Sequence, residues 1–159
     1  MTALKAIRET SPNFKAPRLI VLSSGSLDDK FWDETPTLIH NIIWRCNSNI
    51  YTDLARAQAY LREQEDWLSS SFMMPGAISF DIQRGHDLSA SKLQNFVSFL
   101  DVAAGMIEIA DEESGRWEGK NVSAVLEGGQ TGKFEWWAPV MLSKGLVLHF
   151  FPWLYNYIP

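Results

Sequence analysis

Ser23, Ser24, Tyr51 and His86 are the side chains of this sequence whose types and positions lend themselves to chemistry. Ser23 and Ser24 close the apolar run Leu19-Ile20-Val21-Leu22. Hydroxyls at the carboxyl end of a buried strand sit where ligands bind in open α/β sheets, although small polar residues also simply end strands. Tyr51 opens a strongly amphipathic stretch, as a proton donor or as a helix-start aromatic. His86, in Gln83-Arg84-Gly85-His86-Asp87, follows the second apolar run beside Asp87. Its imidazole type titrates in a useful range, and its plain alternative is a solvated loop residue. The turn Met74-Pro75-Gly76 ends that second run and is expected to line a substrate or cofactor pocket together with Ser23.

Other candidates read more simply. His40 and His149 lie in apolar surroundings and suit packing. Asp28-Asp29, Asp33-Glu34 and Asp111-Glu112-Glu113 are acidic clusters without histidine partners, so solvated faces are expected and no metal site. No Ser-His-Asp, Cys-His or His-Glu-x-x-His arrangement stands out. Cys46 is the only cysteine, which excludes an intrachain disulfide and a thiolate zinc cluster and suits a reducing cytoplasm.

These side chains need elements to hold them. Ala3 to Thr10 has apolar Leu4 and Ile7 among charges and reads as a helix tail, broken at Ser11-Pro12-Asn13. Arg18 to Leu22 is a short β-branched run of the kind that forms buried parallel strands. A loop over Asp28 to Thr37 leads to a helix around Leu38 to Trp44. Tyr51 to Glu65 is a helix in which Leu54, Ala57, Ala59 and Leu61 interleave with charges. Trp67 to Met74 forms a second strand. Leu88 to Asp111 contains a helix with a wide apolar stripe through Phe96, Phe99, Val102, Ala103, Met106 and Ile107. Asn121 to Leu126 forms a third strand before the flexible Gly128-Gly129-Gln130-Thr131-Gly132. Alternating strands and helices of these lengths imply an α/β fold of βαβ units around a parallel sheet.

Residues 1–133 would form this sheet domain. Residues 134–159 would form an aromatic-rich helical lid or dimerisation segment, carrying Trp136, Trp137, Phe150, Phe151, Trp153, Tyr155 and Tyr157. Their apolar length, interrupted by Pro139 and Pro152, falls short of the roughly 20 residues that span a bilayer. Packing is the expected role, with shallow membrane contact the lesser alternative. An apolar fraction of 46% beside a charged fraction of 21% argues against disorder. A net charge of -5 argues against nucleic acid as a partner. Lys5, Arg8, Lys15 and Arg18 read as the solvated face of the first helix and its exit. Met1 to Arg8 lacks the features of a secretory signal, so the sequon-like Asn121-Val122-Ser123 reads as chance.

Five stretches carry a resemblance. Leu19 to Ser24 looks like the strand that ends in the active-site serine of short-chain dehydrogenases. Tyr51 to Arg62, Asp66-Trp67-Leu68 and Phe72-Met73-Met74-Pro75-Gly76 are similar to the atypical NmrA-like and flavin/biliverdin reductase-like subgroup. Asp101-Val102-Ala103-Ala104 resembles the helix that precedes its final strand. Over residues 3 to 127 the chain therefore resembles the C-terminal half of an atypical short-chain dehydrogenase/reductase. The resemblance implies an incomplete Rossmann-like sheet of about three strands, an NAD(P) cofactor, and fungal relatives that tailor secondary metabolites. The departures are specific. Nothing before residue 18 supplies the glycine-rich turn that lets a backbone approach a pyrophosphate, and Gly128 to Gly132 follows the last strand. The family's Tyr is followed four residues later by Lys, whereas Tyr51 is followed by Ala55. A phenol ionises near pH 10 and works poorly at neutral pH without a cation, a place Arg56 would have to fill.

The resulting expectation is an oxidoreductase-related protein acting on a small molecule, with Ser24, Tyr51 and His86 catalytic. A redox-neutral isomerase, cyclase or dehydratase acting on an apolar polycyclic compound is the alternative, as is a non-catalytic dimeric remnant. With the first strands missing, the Arg18 to Leu22 strand would have an open edge and a helix-bare face, and homodimers are expected through that edge or the C-terminal segment.

Overall fold

In the computed structural model, residues 1–32 and 36–157 are described. The helices are α1 (Thr2–Thr10), α2 (Thr37–Cys46), α3 (Ser48–Arg62), α4 (Phe99–Asp111) and α5 (Ala138–Phe150). The strands are β1 (Leu19–Leu22), β2 (Ser70–Met73), β3 (Ile78–Ser79), β4 (His86–Ser89), β5 (Val97–Ser98) and β6 (Asn121–Leu126). The main sheet has the order β1-β2-β6-β4. β1, β2 and β6 run parallel, with Leu19 opposite Ser70 and Phe72 opposite Asn121. This is the α/β fold with crossover helices that the alternating pattern implies.

Strand periodicity puts successive side chains on opposite faces. On one face Met73, Val122, Ala124 and Leu126 pack with Val102 and Ile109 of α4, and Ile20 joins them. On the other, Phe72 and Met74 pack with Phe31, Val21, Leu27 and Leu61. The helix-bare face expected for β1 is therefore covered, by α3 and the 3-10 turns Gly25–Leu27 and Asp29–Phe31. β1 does form one edge of the sheet among the described residues.

The sheet also has a fourth strand where a polar loop is expected. β4 runs antiparallel to β6, pairing His86 with Leu126 and Ser89 with Ser123. It is short and has one apolar residue, Leu88, so its alternation carries little signal. The helix within Leu88 to Asp111 starts only at Phe99, after the short parallel pair β3–β5.

A further expectation changes. Arg18 is not part of a solvated face. Its guanidinium donates to the carbonyls of Ile109 (3.2 Å) and Glu112 (2.5 Å), where α4 ends in orphan carbonyls, and pairs with Glu118 at 2.8 Å. Arg8 stacks over Trp67 at 4.9 Å and Lys5 over Tyr60 at 5.8 Å, which ties α1 to the end of α3. Asn121 is the first residue of β6. Its side chain donates to Asp28 Oδ2 at 2.7 Å and accepts from Arg62 at 2.8 Å, so it is engaged inside the fold. Asp33-Glu34 lie outside the described residues.

α5 rests on α2 through Gly145, where a Cβ would overlap the carbonyl oxygen of Cys46. Glu135, 6% exposed, fixes the approach to this helix by accepting from the backbone N–H of Phe80 (3.0 Å) and from Trp137 Nε1 (3.1 Å). No described helix is long and apolar enough to cross a membrane.

Candidate functional site at the mouth of β1

The chain leaves β1 through Ser23 and Ser24 and turns at once. Gly25 donates its N–H to the Pro75 carbonyl at 2.9 Å, and a Cβ at Gly25 would press into Leu93. A larger residue there would have to push the Leu93 side chain aside. Ser24 caps the turn, accepting from the Ser26 N–H at 3.3 Å. The turn then aims Ser26 at α3. The side chains of α3 that face the sheet recur as Tyr51, Leu54, Ala55, Gln58, Leu61 and Arg62, the spacing of one helical face.

Two residues of that face meet the strand end. Ser26 Oγ donates to Tyr51 Oη at 3.2 Å, and Gln58 Nε2 donates to Ser23 Oγ at 3.0 Å. An aromatic wall stands beside them. Trp32 stacks on His40 with ring centroids 4.6 Å apart, His40 meets Trp44 edge-on at 6.5 Å, and Trp44 lies 5.4 Å from Tyr51. Trp32 Nε1 donates to the Gly25 carbonyl at 2.8 Å, and His40 Nε2 lies 3.4 Å from the Ser26 carbonyl. Ser26 is 6% exposed and Tyr51 half-buried, so the pair has one dry end and one end open to the mouth.

The sequence candidates divide accordingly. Ser23, Ser24 and Tyr51 come together at this mouth. Ser26, which no sequence motif singled out, and His40, expected only to pack, join them. Met74 and Pro75 are fully buried; the Met74 side chain sits in the apolar cluster with Phe31 and Phe72, so neither lines an open pocket. Gly76 is partly exposed and closely packed, with Asn95 and Gln94 against it. Arg56 does not serve Tyr51: its side chain is 77% exposed and pairs with Asp53 at 3.6 Å.

His86 is not brought to this mouth. As the first residue of β4 it lies beyond β6, at the far edge of the sheet from β1. Its ring faces α4, with Nε2 3.0 Å from Glu108 Oε2. The cluster that holds this region centres on Asp101, fully buried. Asp101 Oδ1 accepts from the backbone N–H groups of Arg84 (3.1 Å) and Gly85 (3.0 Å), and Oδ2 accepts from Ser98 Oγ at 2.7 Å. Nearby, Arg84 pairs with Asp81 and holds its carboxyl below the usual range. His149 is exposed rather than packed and lies 2.8 Å from Ser48 Oγ. Among the described residues no group of acidic, histidine or cysteine side chains is arranged to hold a metal.

A dinucleotide needs a glycine turn running from a strand into a helix N-terminus. Gly128 to Gly132 follows β6, but α5 begins only at Ala138, and a Cβ at Gly132 would overlap the Phe96 carbonyl. The described residues do not fit a diphosphate.

No family model matches the chain. It is similar to several fungal proteins. It is 40% identical to Oxidoreductase stcQ of Emericella nidulans over 158 residues, covering 99% of this chain and 57% of that one. Oxidoreductase AgnL4 of Paecilomyces divaricatus is 40% identical over 160 residues, with 100% and 61% covered. Oxidoreductase aflX of Aspergillus parasiticus is 45% identical over 141 residues, with 89% and 53% covered. A solved chain from Bacillus halodurans, described as a candidate NAD-dependent epimerase/dehydratase, matches with a TM-score of 0.48 and 17% identity, over 91% of this chain and 56% of that one. The chain spans a little over half the length of the curated relatives it matches. Over nearly its whole length the chain is a homologue of these fungal oxidoreductases.

Proposed function

We propose that this chain supplies the substrate-holding and proton-donating side of a small-molecule oxidoreductase that tailors an aromatic, carbonyl-bearing secondary metabolite. The observation that carries this reading is the Ser26–Tyr51 hydrogen bond of 3.2 Å at the carboxyl end of β1. Because Ser26 donates to Tyr51 Oη, the phenol's own hydrogen is free to point into the mouth at a substrate oxygen. A donor held in that direction polarises a carbonyl and favours negative charge developing on its oxygen. Trp32, His40 and Trp44 provide the apolar wall against which a planar ring system stacks. The names of the relatives support oxidoreduction as the reaction class. A second reading, a redox-neutral isomerisation or dehydration, would use the same Tyr51 donor, whose proton transfer needs no hydride.

The test uses 1-tetralone, 1,4-naphthoquinone and 4-hydroxy-1-tetralone, with binding followed by tryptophan fluorescence and conversion followed with and without NADPH. Saturable quenching that weakens roughly fivefold in Tyr51→Phe, as the loss of one hydrogen bond would give, supports the mouth as the site. Conversion only with NADPH supports oxidoreduction, and conversion of a hydroxy-tetralone without it transfers the site to redox-neutral chemistry. Equal binding by the wild type and Tyr51→Phe would remove the phenol from the proposal.

A further inference from the structure

Behind the first turn of α3, on the side away from Ser26, lies a second concavity. It is a half-open groove of about 450 Å³ where the α2–α3 junction meets α5 and the C-terminal 3-10 turn Pro152–Asn156. We propose that this groove binds a planar aromatic carboxylate, at a site separate from the mouth of β1.

Volume and lining both point to this class. A groove of this size falls within the range of small-molecule sites, which combine apolar walls with a few convergent polar groups. Ile50, Met141 and Leu148 provide the apolar walls. Lys144, His149 and Tyr155 supply donors around them. Asp53 is the one carboxylate along the lining, and it is matched by Arg56 at 3.6 Å on the exposed side of α3. Lys144 forms no ion pair among the described residues. The groove therefore offers a positive charge to an incoming anion. His149 adds directionality: its Nδ1 lies 2.8 Å from Ser48 Oγ, which orients the ring and leaves Nε2 as its remaining polar atom.

The shape of the groove is fixed by backbone packing. Gly145 sits against the Cys46 carbonyl, which sets how closely α5 approaches the α2–α3 junction. The two helices cannot collapse further to fill the space, nor does α5 need to move for a ligand to enter from the open side. Tyr51 points away from this cavity toward Ser26, so occupancy of the groove does not require occupancy of the mouth.

The experiment titrates the whole chain with 2-naphthoate and with neutral 2-naphthalenemethanol, followed by calorimetry and by chemical-shift changes. Saturable binding of 2-naphthoate, weakened about tenfold in Lys144→Ala while 2-naphthalenemethanol is unaffected, is the expected result, since a charge-assisted contact is lost. Ile50→Glu places a second carboxylate on an exposed wall residue and is expected to abolish 2-naphthoate binding. Lys133→Ala, outside the groove, should leave it unchanged, and the three variants should retain wild-type circular dichroism. Equal affinity for the two compounds would overturn the carboxylate preference. Non-saturable binding, or binding reduced as much by Lys133→Ala as by Lys144→Ala, would overturn the site itself and leave only general adhesion to the exposed aromatics that flank α5.

Discussion

Removing either partner of the Ser26–Tyr51 hydrogen bond should have unequal consequences, because the partners differ in burial. Tyr51→Phe takes away the acceptor of a hydroxyl that is only 6% exposed. A buried donor left without a partner costs about 1–3 kcal/mol. Ser26→Ala instead leaves the Tyr51 hydroxyl at a half-buried ring edge, where water replaces the lost donor, and the cost should be about 0.5–1 kcal/mol. In the double variant neither hydroxyl remains to be left unsatisfied, so its destabilisation should fall below the sum of the two singles and close to or below that of Tyr51→Phe alone. The measurement is urea unfolding of the four proteins by far-ultraviolet circular dichroism, read as a double-mutant cycle. The reasoning fails if the singles add in the double variant to within about 0.3–0.5 kcal/mol, the agreement expected of independent sites. It fails equally if Ser26→Ala proves the costlier single.

Three other perturbations probe the frame around the site. Asp101→Asn keeps the shape of a side chain that accepts two backbone N–H groups and the Ser98 hydroxyl, and should cost about 1.5–3 kcal/mol through the loss of charge-assisted bonds; an unchanged urea midpoint would show that Asp101 does not anchor the Arg84-Gly85 turn. Gly145→Ala drives a methyl into the Cys46 carbonyl and should destabilise the fold by about 1–3 kcal/mol through overpacking, with a wild-type melting temperature as the contrary outcome. Burial pushes the Cys46 thiol above its ordinary value, so its contribution to stability is complete below the ordinary thiol range and declines as pH rises through the raised folded value. Cys46→Ser should flatten this alkaline decline in urea midpoints measured across that range, and an identical pH profile would contradict the assignment.

The sequence makes the β1, β2 and β6 strands and the order of the helices legible because each is a contiguous pattern: β-branched runs for the strands, helical spacing for α3 and α4. It also makes the end of β1 legible as a ligand-facing position. Ser26 is harder to see, because its role depends on a turn. Gly25 lets the chain press against Pro75 and Leu93, and only that bend swings the third serine of the segment onto α3. The signal available was a glycine between serines directly after a strand. His40 and Trp44 were also readable as neighbours, since residues four apart share a helix face. Their meeting with Tyr51 was not, because α2 and α3 break at Asn47, where non-helical backbone angles redirect the chain.

His86 shows where pattern reading stops. Its place after β2 and its titratable ring suggested the mouth, and by chain end alone that was sound: β4 is antiparallel, so its first residue lies opposite Leu126 at the carboxyl end of β6. What decided its surroundings was lateral order and parity. β4 joins the sheet beyond β6, three places from β1, and His86 shares its face with Leu88, which packs into the α4 core. A shift of one residue in that register would have turned the imidazole to the other face, but no one-residue shift would have moved it across two intervening strands. The sequence alternation of His86-Asp87-Leu88-Ser89 is compatible with either face, and it contains nothing that specifies an antiparallel partner. Asp101 settles the matter physically, because its carboxylate holds the Arg84 and Gly85 amides just before the strand begins and thereby binds the start of β4 to α4. The residue carried by the family-like Asp-Val-Ala motif thus anchors the Arg84-Gly85 turn that leads into His86 at this edge of the sheet.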